Sequence, residues 1–247
     1  MRVAALYDVH GMLVPLEAVL DEVEEADAIV VGGDVASGPQ PVEVLERLQA
    51  LGDRVHWVRG NGDRELATGD GSGLAPSVQE SLRWTGEQLS DEQRAFLGSL
   101  PETVVLDVDG LGEVCFCHAT PRSDEEIVTQ ATPDRHLRKV LARTDESVVV
   151  AGHTHMQQDR RVDDVRWVNA GSVGMPYEGE VAAFWALLGP DVELRRTTFD
   201  VERSVDAVLG SGWPDAETFV EENLRKAVRR EDVVPVFEGF AIDRGER

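Results

Sequence analysis

RVAALYDVHGMLVPLEAVLDEVEEADAIVVGGD, residues 2–34, carries the decisive pattern. Residues 2–7 form a short apolar run of strand length, and Asp8-Val9-His10-Gly11 follows it at once. Pro15–Ala26 then repeats apolar residues at helical spacing, which predicts an amphipathic helix. Ala28–Val31 is a second apolar run, closed by Gly32-Gly33-Asp34. Strand, polar turn, helix, strand, polar turn is the rhythm of parallel pairing with a helical crossover.

The same rhythm continues outward. Val42–Leu51 predicts a second helix and Arg54–Val58 a third strand, which ends in Gly60-Asn61-Gly62-Asp63. No regular element is read between Arg64 and Gly73. Helices are predicted from Val78 to Leu89 and from Asp91 to Leu100. Ser90 and Gln93 make a capping box for the second, and Pro101 stops it. Beyond it the pattern becomes β-rich. Val104–Val108 and Glu113–Cys117 flank a DGLG turn, a hairpin signal. A helix at Pro133–Arg143 precedes strands at Ser147–Ala151, Arg160–Val162, Val165–Asn169, Val181–Leu188 and Val192–Thr198. Residues 201–230 read as helical with a break at Gly210–Pro214, and 231–247 as a charged tail. The expected architecture is α/β, with two sheets packed face to face and helices outside. The expected division is a main domain over 1–200 and a C-terminal extension over 201–247.

Composition bounds the function. The 247 residues are 42% hydrophobic and 29% charged, which is ordinary for a globular chain. The formal net charge of −23 is not ordinary. It disfavours nonspecific binding to nucleic acid or anionic lipid, which requires a basic surface. It also repels phosphorylated substrates, unless bound cations reverse the field locally. Cys115 and Cys117, two apart in an apolar run, are too close along one strand for an ordinary disulfide and are expected in the core. No leader-like start and no run of eighteen apolar residues is present. These features lead to the expectation of a reducing cytoplasmic setting without a membrane span.

Chemistry concentrates at strand ends. Five polar clusters follow predicted strands directly: 8–11, 32–34, 60–63, 117–119 and 152–155. Ligands of α/β sheets bind outside the carboxyl ends of strands, so five such clusters are expected to meet in one crevice. Their side chains are Asp, Asn and His, the oxygen and imidazole donors suited to Mn, Fe or Zn. Taken singly, each has a plainer reading. Asn61-Gly62 is a hairpin signal, Asp34 a helix cap, and His118 a core histidine. His56 and His136, within regular elements, are read as structural or exposed. The GDGSG run at 69–73 lacks the Gly-Lys-Ser/Thr ending of a phosphate loop and is read as a connection or lid.

Taken in order, Asp8-Val9-His10-Gly11, Gly32-Gly33-Asp34, Gly60-Asn61-Gly62-Asp63, His118, Gly152-His153-Thr154-His155 and Asn169-Ala170-Gly171-Ser172-Val173-Gly174 resemble the calcineurin-like metallophosphoesterases, in particular the small bacterial members. The resemblance implies a four-layer α-β-β-α sandwich with two divalent transition-metal ions between the loop edges of two mixed sheets. It assigns Asp8, His10 and His155 to one ion, Asn61, His118 and His153 to the other, and Asp34 as the bridge. The implied reaction is phosphoester hydrolysis by an activated bridging oxygen on a small phosphorylated substrate. Asp34, Asn61 and Asp63 are the expected catalytic set, with Asp63 able to orient a ligand. Arg64 and Arg122 follow the third and fourth motifs directly, and either contacts substrate phosphate or forms salt bridges. One departure stands out. Many relatives carry His where this chain has Gly62, and that His is thought to protonate the leaving group. Its absence predicts a preference for leaving groups that need little protonation, such as aryl phosphates or nucleoside polyphosphates, diadenosine tetraphosphate among them. The rival readings are a scaffold that keeps the fold without the catalysis, and a nuclease, which the acidic surface disfavours. Oligomeric state is not legible.

Overall fold

The computed structural model describes all residues from Met1 to Arg247. Its first three strands, β1 (Val3–Leu6), β2 (Ala28–Val31) and β3 (Val55–Trp57), run parallel, with β2 in the middle. Helices α1 (Leu13–Glu22) and α2 (Pro41–Gln49) supply the crossovers. Two late strands, β9 (Ala183–Leu188) and β10 (Val192–Thr197), complete this sheet, β9 antiparallel to β1, in the order β10-β9-β1-β2-β3. The second sheet comprises β4 (Thr103–Val108), β5 (Gly112–Cys117), β6 (Val148–Ala151), β7 (Gln158–Val162) and β8 (Val165–Asn169). Its order is β4-β5-β6-β8-β7, with β5, β6 and β8 parallel. Both sheets are therefore mixed; the parallel strands form one side of the first and the centre of the second.

Alternation along the strands builds three apolar layers. Val3, Ala5, Tyr7 and Val30 point inward and meet Phe116, Val148, Val150 and Val168 of the other sheet. Ala4, Leu6, Ile29 and Val31 point outward against Leu16, Val19, Leu45 and Leu48 of α1 and α2. On the far side Cys115, Cys117, Val149 and Ala151 pack under Leu137 and Val140 of helix α6 (Asp134–Leu141). Both cysteines are buried free thiols in that layer. The sandwich is thus helix, sheet, sheet, helix.

Two departures from the sequence reading bear on the site. Asn61–Thr68, read without an element, is helix α3. Its apolar content is low, so periodicity is silent there. It is started by Asp63, whose carboxylate accepts the Gly60 N–H, and stopped by Gly69 at φ 69°. The supposed charged tail, 231–247, is mostly helix α9 (Arg230–Asp243). Pro235 and Gly239 hide it from propensity. Tertiary contacts hold it instead: Thr129 and Thr132 donate to Glu238, and Arg247 donates to the Ile127 carbonyl. Helices α4 (Pro76–Gln88) and α5 (Asp91–Ser99) follow α3, and α7 (Val201–Gly210) and α8 (Ala216–Phe219) precede α9, α8 passing into a wide π-turn over Val220–Leu224. No helix is long and apolar enough to cross a membrane.

Candidate metal centre

The five polar clusters lie at the carboxyl ends of β1, β2, β3, β5 and β6, the parallel strands of the two sheets. The loops turn sharply there. Asp8, His10, Asp34, His153 and His155 all take left-handed backbone conformations, with φ between 48° and 65°. The only other non-glycine residue of this kind is Asp163, in the β7–β8 turn. Each such residue costs roughly 1–3 kcal/mol, and clusters of them mark sites where side-chain placement outweighs backbone comfort. Close approach also requires glycine at two places. A Cβ on Gly60 would stand 2.2 Å from Asp34 Oδ1, and one on Gly152 2.4 Å from Asp8 Oδ2.

Hydrogen bonds fix what each imidazole presents. Carbonyl oxygens only accept, so a ring nitrogen resting on one must carry its hydrogen. His10 donates Nδ1–H to Ser37 O (3.2 Å), His155 donates Nδ1–H to Met175 O (2.7 Å), and His118 donates Nδ1–H to Gly32 O (2.8 Å). All three therefore turn Nε2 toward the centre. His153 is reversed: its Nε2–H meets Glu125 O at 3.2 Å and leaves Nδ1 facing inward. The outcome is a set of acceptors aimed at acceptors. His10 Nε2 and His155 Nε2 are 3.1 Å apart. Asn61 Oδ1 is 3.2 Å from His118 Nε2. Turned by half a rotation, the Asn61 amide would instead donate to His153 Nδ1 at 3.1 Å and to His118 Nε2 at 3.2 Å.

Two carboxylates close the ring. Asp8 Oδ2 accepts the His153 N–H at 2.9 Å, but Oδ1 is buried and has no hydrogen-bond partner. It lies 3.3 Å from His155 Nε2, 3.9 Å from His118 Nε2 and 4.0 Å from His10 Nε2. Asp34 Oδ1 is 3.6 Å from His118 and Oδ2 is 4.0 Å from His10, one oxygen toward each side. A proton shared between His10 and His155 satisfies one pair of atoms. A turned Asn61 amide satisfies the facing nitrogens of His118 and His153, which leaves the buried Asp8 Oδ1 without a partner and asking for positive charge. Asp8, His10 and His155 form one group with metal-ligand spacing, and Asp8, Asp34 and His118 a second. The donor set therefore fits divalent cations, and all seven expected ligands come together.

Electrostatics favours the ligand form of His153, His10 and Asp8, whereas at His118 burial works downward but is outweighed by Asp34 and Asp8, which raise it. Burial, then the nearby His118, lowers His153 to about 4, and burial with His155 lowers His10. For Asp8, burial works upward but is outweighed by His155, His118 and His10, which hold the carboxyl below the usual carboxylate range.

Asp63, expected in the catalytic set as a residue able to orient a ligand, engages the backbone. Its carboxylate accepts the backbone N–H groups of Asp34, Val35 and Gly60 at 2.9–3.0 Å, so neither oxygen faces the centre. It is a positioning residue, fixing the loop that carries Asp34. Arg64 is engaged by Asp124 at 2.8 Å and by Glu125, and Arg122 by Glu126 at 2.8 Å. Of the two readings the sequence allows for these arginines, the structure displays the salt bridges. His136, read as structural or exposed, is buried 3.2 Å from the same Glu126.

Other contributors carry no role in the sequence reading. Asn169 donates to Gly152 O (2.6 Å) and Thr154 Oγ1 (3.1 Å), locking the loop that bears His153 and His155. Ser172 donates to Asp8 O at 2.8 Å. The Asn169–Gly174 motif is visible in the sequence, but its roles are not. Tyr177 stacks on His155 with ring centroids 4.9 Å apart and meets Phe237 of α9 on its other side. No local sequence signal marks that stack.

Comparison with known proteins agrees with this geometry. The pattern of the calcineurin-like phosphoesterase superfamily domain matches residues 1–188. A metallophosphoesterase from Sphaerobacter thermophilus superposes with a TM-score of 0.72 at 27% identity, over 87% of this chain and 96% of that one. A hypothetical protein from Pyrococcus horikoshii OT3 shares the fold, with a TM-score of 0.77 at 23% identity over 89% of this chain and 97% of that one. Among curated proteins, a symmetrical bis(5'-nucleosyl)-tetraphosphatase from Erwinia tasmaniensis is 31% identical over 143 residues, 54% of this chain and 50% of its own length. The chain spans about half the length of that relative.

Proposed function

Because this chain belongs to the calcineurin-like phosphoesterase superfamily, we propose that it hydrolyses phosphoesters of a small substrate with two divalent transition-metal ions held by the seven residues described above. The observation that carries the proposal is the 3.1 Å approach of His10 Nε2 to His155 Nε2 beside the unpartnered Asp8 Oδ1. Such an arrangement is stable when a cation accepts the converging lone pairs. Asp8, His10 and His155 would hold one ion, Asn61, His118 and His153 the other, and Asp34 would reach both, since its oxygens point to opposite sides. When bound, two such ions neutralise phosphate charge and lower the pKa of water to near neutrality.

The chain's own residues do the rest. Glycines at 33, 60 and 152 let the loops close without side chains in the way. Asp63 holds the Asp34 loop, and four backbone carbonyls hold the imidazoles in one tautomer each. In the reaction a water oxygen, giving up one proton to solvent, forms a bond to phosphorus and the opposite P–O bond breaks. Its electron pair goes to the leaving oxygen, which takes its proton from solvent. No histidine stands at position 62 to supply that proton. A Cβ there would lie 2.6 Å from Ser37 Oγ, so the space for one is closed unless Ser37 moves. Leaving groups that need little protonation are therefore favoured. The curated relatives' name brings nucleoside polyphosphates under this reading as substrates.

The test compares p-nitrophenyl phosphate with its bis ester, with Mn²⁺, Fe²⁺ and Zn²⁺ supplied in turn. Turnover that depends on the metal is expected. Metal-loaded protein that hydrolyses neither ester, nor a dinucleoside polyphosphate, would favour the scaffold reading instead.

A further inference from the structure

Beside the metal centre lies a cavity of about 350 Å³, and its inner end is formed by His10, Asp34 and Asn61. Gly62 and Ser37 also line it. The walls are of a different kind. Leu74, Val78 and Leu82 come from the α3–α4 connection and α4, Met175 from the loop after β8, and Trp213 and Phe219 from the C-terminal helical segment. Val78 is an apolar side chain left 46% exposed there.

Two observations narrow the occupant. No lysine or arginine lines the cavity, while Asp215 and Glu222 do, so a phosphate or carboxylate is repelled from it. A phosphoryl group held at the metal centre would thus send its uncharged part into this space. The wall offers aromatic surface, since Trp213 and Phe219 meet edge to face with centroids 5.5 Å apart.

We infer that this cavity binds an uncharged aromatic ring of the substrate, of the kind a nucleobase provides, while the attached phosphate reaches the metal centre. This rests on the phosphoesterase reading only for the phosphate end; the ring site can be tested by itself. Adenosine, phenol and ribose are titrated calorimetrically into the full chain, with and without Mn²⁺. Adenosine is expected to bind at least about tenfold more tightly than ribose, the scale of burying one aromatic ring. Leu82→Trp, which fills the cavity, and Trp213→Ala, which removes its aromatic wall, should each erase about that factor. Val78→Trp crowds the same space from an exposed position, so a folding failure of the other two leaves the test intact.

Phenol binding as tightly as adenosine would keep the aromatic ring as occupant and point to aryl esters. Adenosine binding no better than ribose, or undiminished in all folded variants, would overturn the assignment. If adenosine binds as described and no phosphoester is hydrolysed, the phosphoesterase reading fails and the ring site stands. Hydrolysis without ring binding overturns the ring site and leaves the phosphoesterase reading standing.

Discussion

Two groups of acidic residues face the same loop edge, and they are answered differently. In the outer group, Asp124, Glu125 and Glu126, each carboxylate meets an arginine: Arg64 pairs with the first two and Arg122 with the third. In the inner group, Asp8 and Asp34 meet imidazoles whose facing nitrogens carry lone pairs, and Asp8 Oδ1 meets no donor at all. The outer charges are satisfied by the chain. Of the inner oxygens, Asp34 Oδ1 and Asp8 Oδ2 accept the backbone N–H groups of Gly62 and His153, while Asp8 Oδ1 is left for the proposed ion. On the proposed reading the contrast assigns stability to the contiguous run 124–126 and chemistry to Asp8 and Asp34, which follow two different strands.

The largest effect should come from Asp34→Ala, which removes the residue facing both sides of the centre. A fall in kcat/KM of about 10³-fold or more is expected, on the scale of losing a preorganised electrostatic contact, with both ions weakened. Steady-state kinetics with metal in excess measures it. His155→Ala should be next, costing one ion and about 10²-fold in rate while the other ion stays bound. If His155→Ala lost both ions in metal analysis, the division into two half-sites would be wrong. Asp63→Asn acts through position. It should lower metal affinity by about 10–100-fold and reduce Tm, because three buried N–H groups lose a charged acceptor. Unchanged metal affinity in a folded Asp63→Asn protein would place it outside the site.

The smallest catalytic effect belongs to the outer group. Arg122→Ala should leave kcat/KM within about threefold and cost roughly 1–3 kcal/mol of stability, because buried Glu126 loses its charged donor. That pair also has a pH signature. Burial works upward on Glu126, but Arg122 and Thr120 outweigh it and keep the carboxyl below 4.5. The pair's contribution is therefore complete above about pH 4.5 and fades as pH falls through the lower folded value. Chemical denaturation between about pH 3 and 6 should show this slope in the native chain and a shallower one in Arg122→Ala.

The contrast also explains what can be read in advance. The parallel crossovers and the strand-end clusters are legible because apolar runs and the polar breaks between them are local. All seven donor positions can be named, since each directly follows a strand. The partner of Arg64 is not legible, since Asp124 lies sixty residues away; that of Arg122, Glu126, lies only four residues on, but a local acid does not exclude a substrate contact. Nothing near them in sequence separates a salt bridge from a phosphate contact. Helix α3 is hidden because its stabilising partner is a cap rather than a hydrophobic stripe. Helix α9 is hidden because Glu238 and Phe237 find their partners more than fifty residues away, at Thr129 and Tyr177. The joining of β9 and β10 to the first sheet rather than the second is likewise a long-range pairing, made by β1 against β9.

Metal stoichiometry decides the central claim most directly. Metal-free chain is equilibrated with Mn²⁺, Fe²⁺ or Zn²⁺, desalted, and analysed for bound ion per chain alongside Asp34→Ala. The converging lone pairs predict about two ions per native chain and fewer than one in the variant. A native chain that retains none of the three metals, or an Asp34→Ala chain that retains as many as the native, would contradict the account.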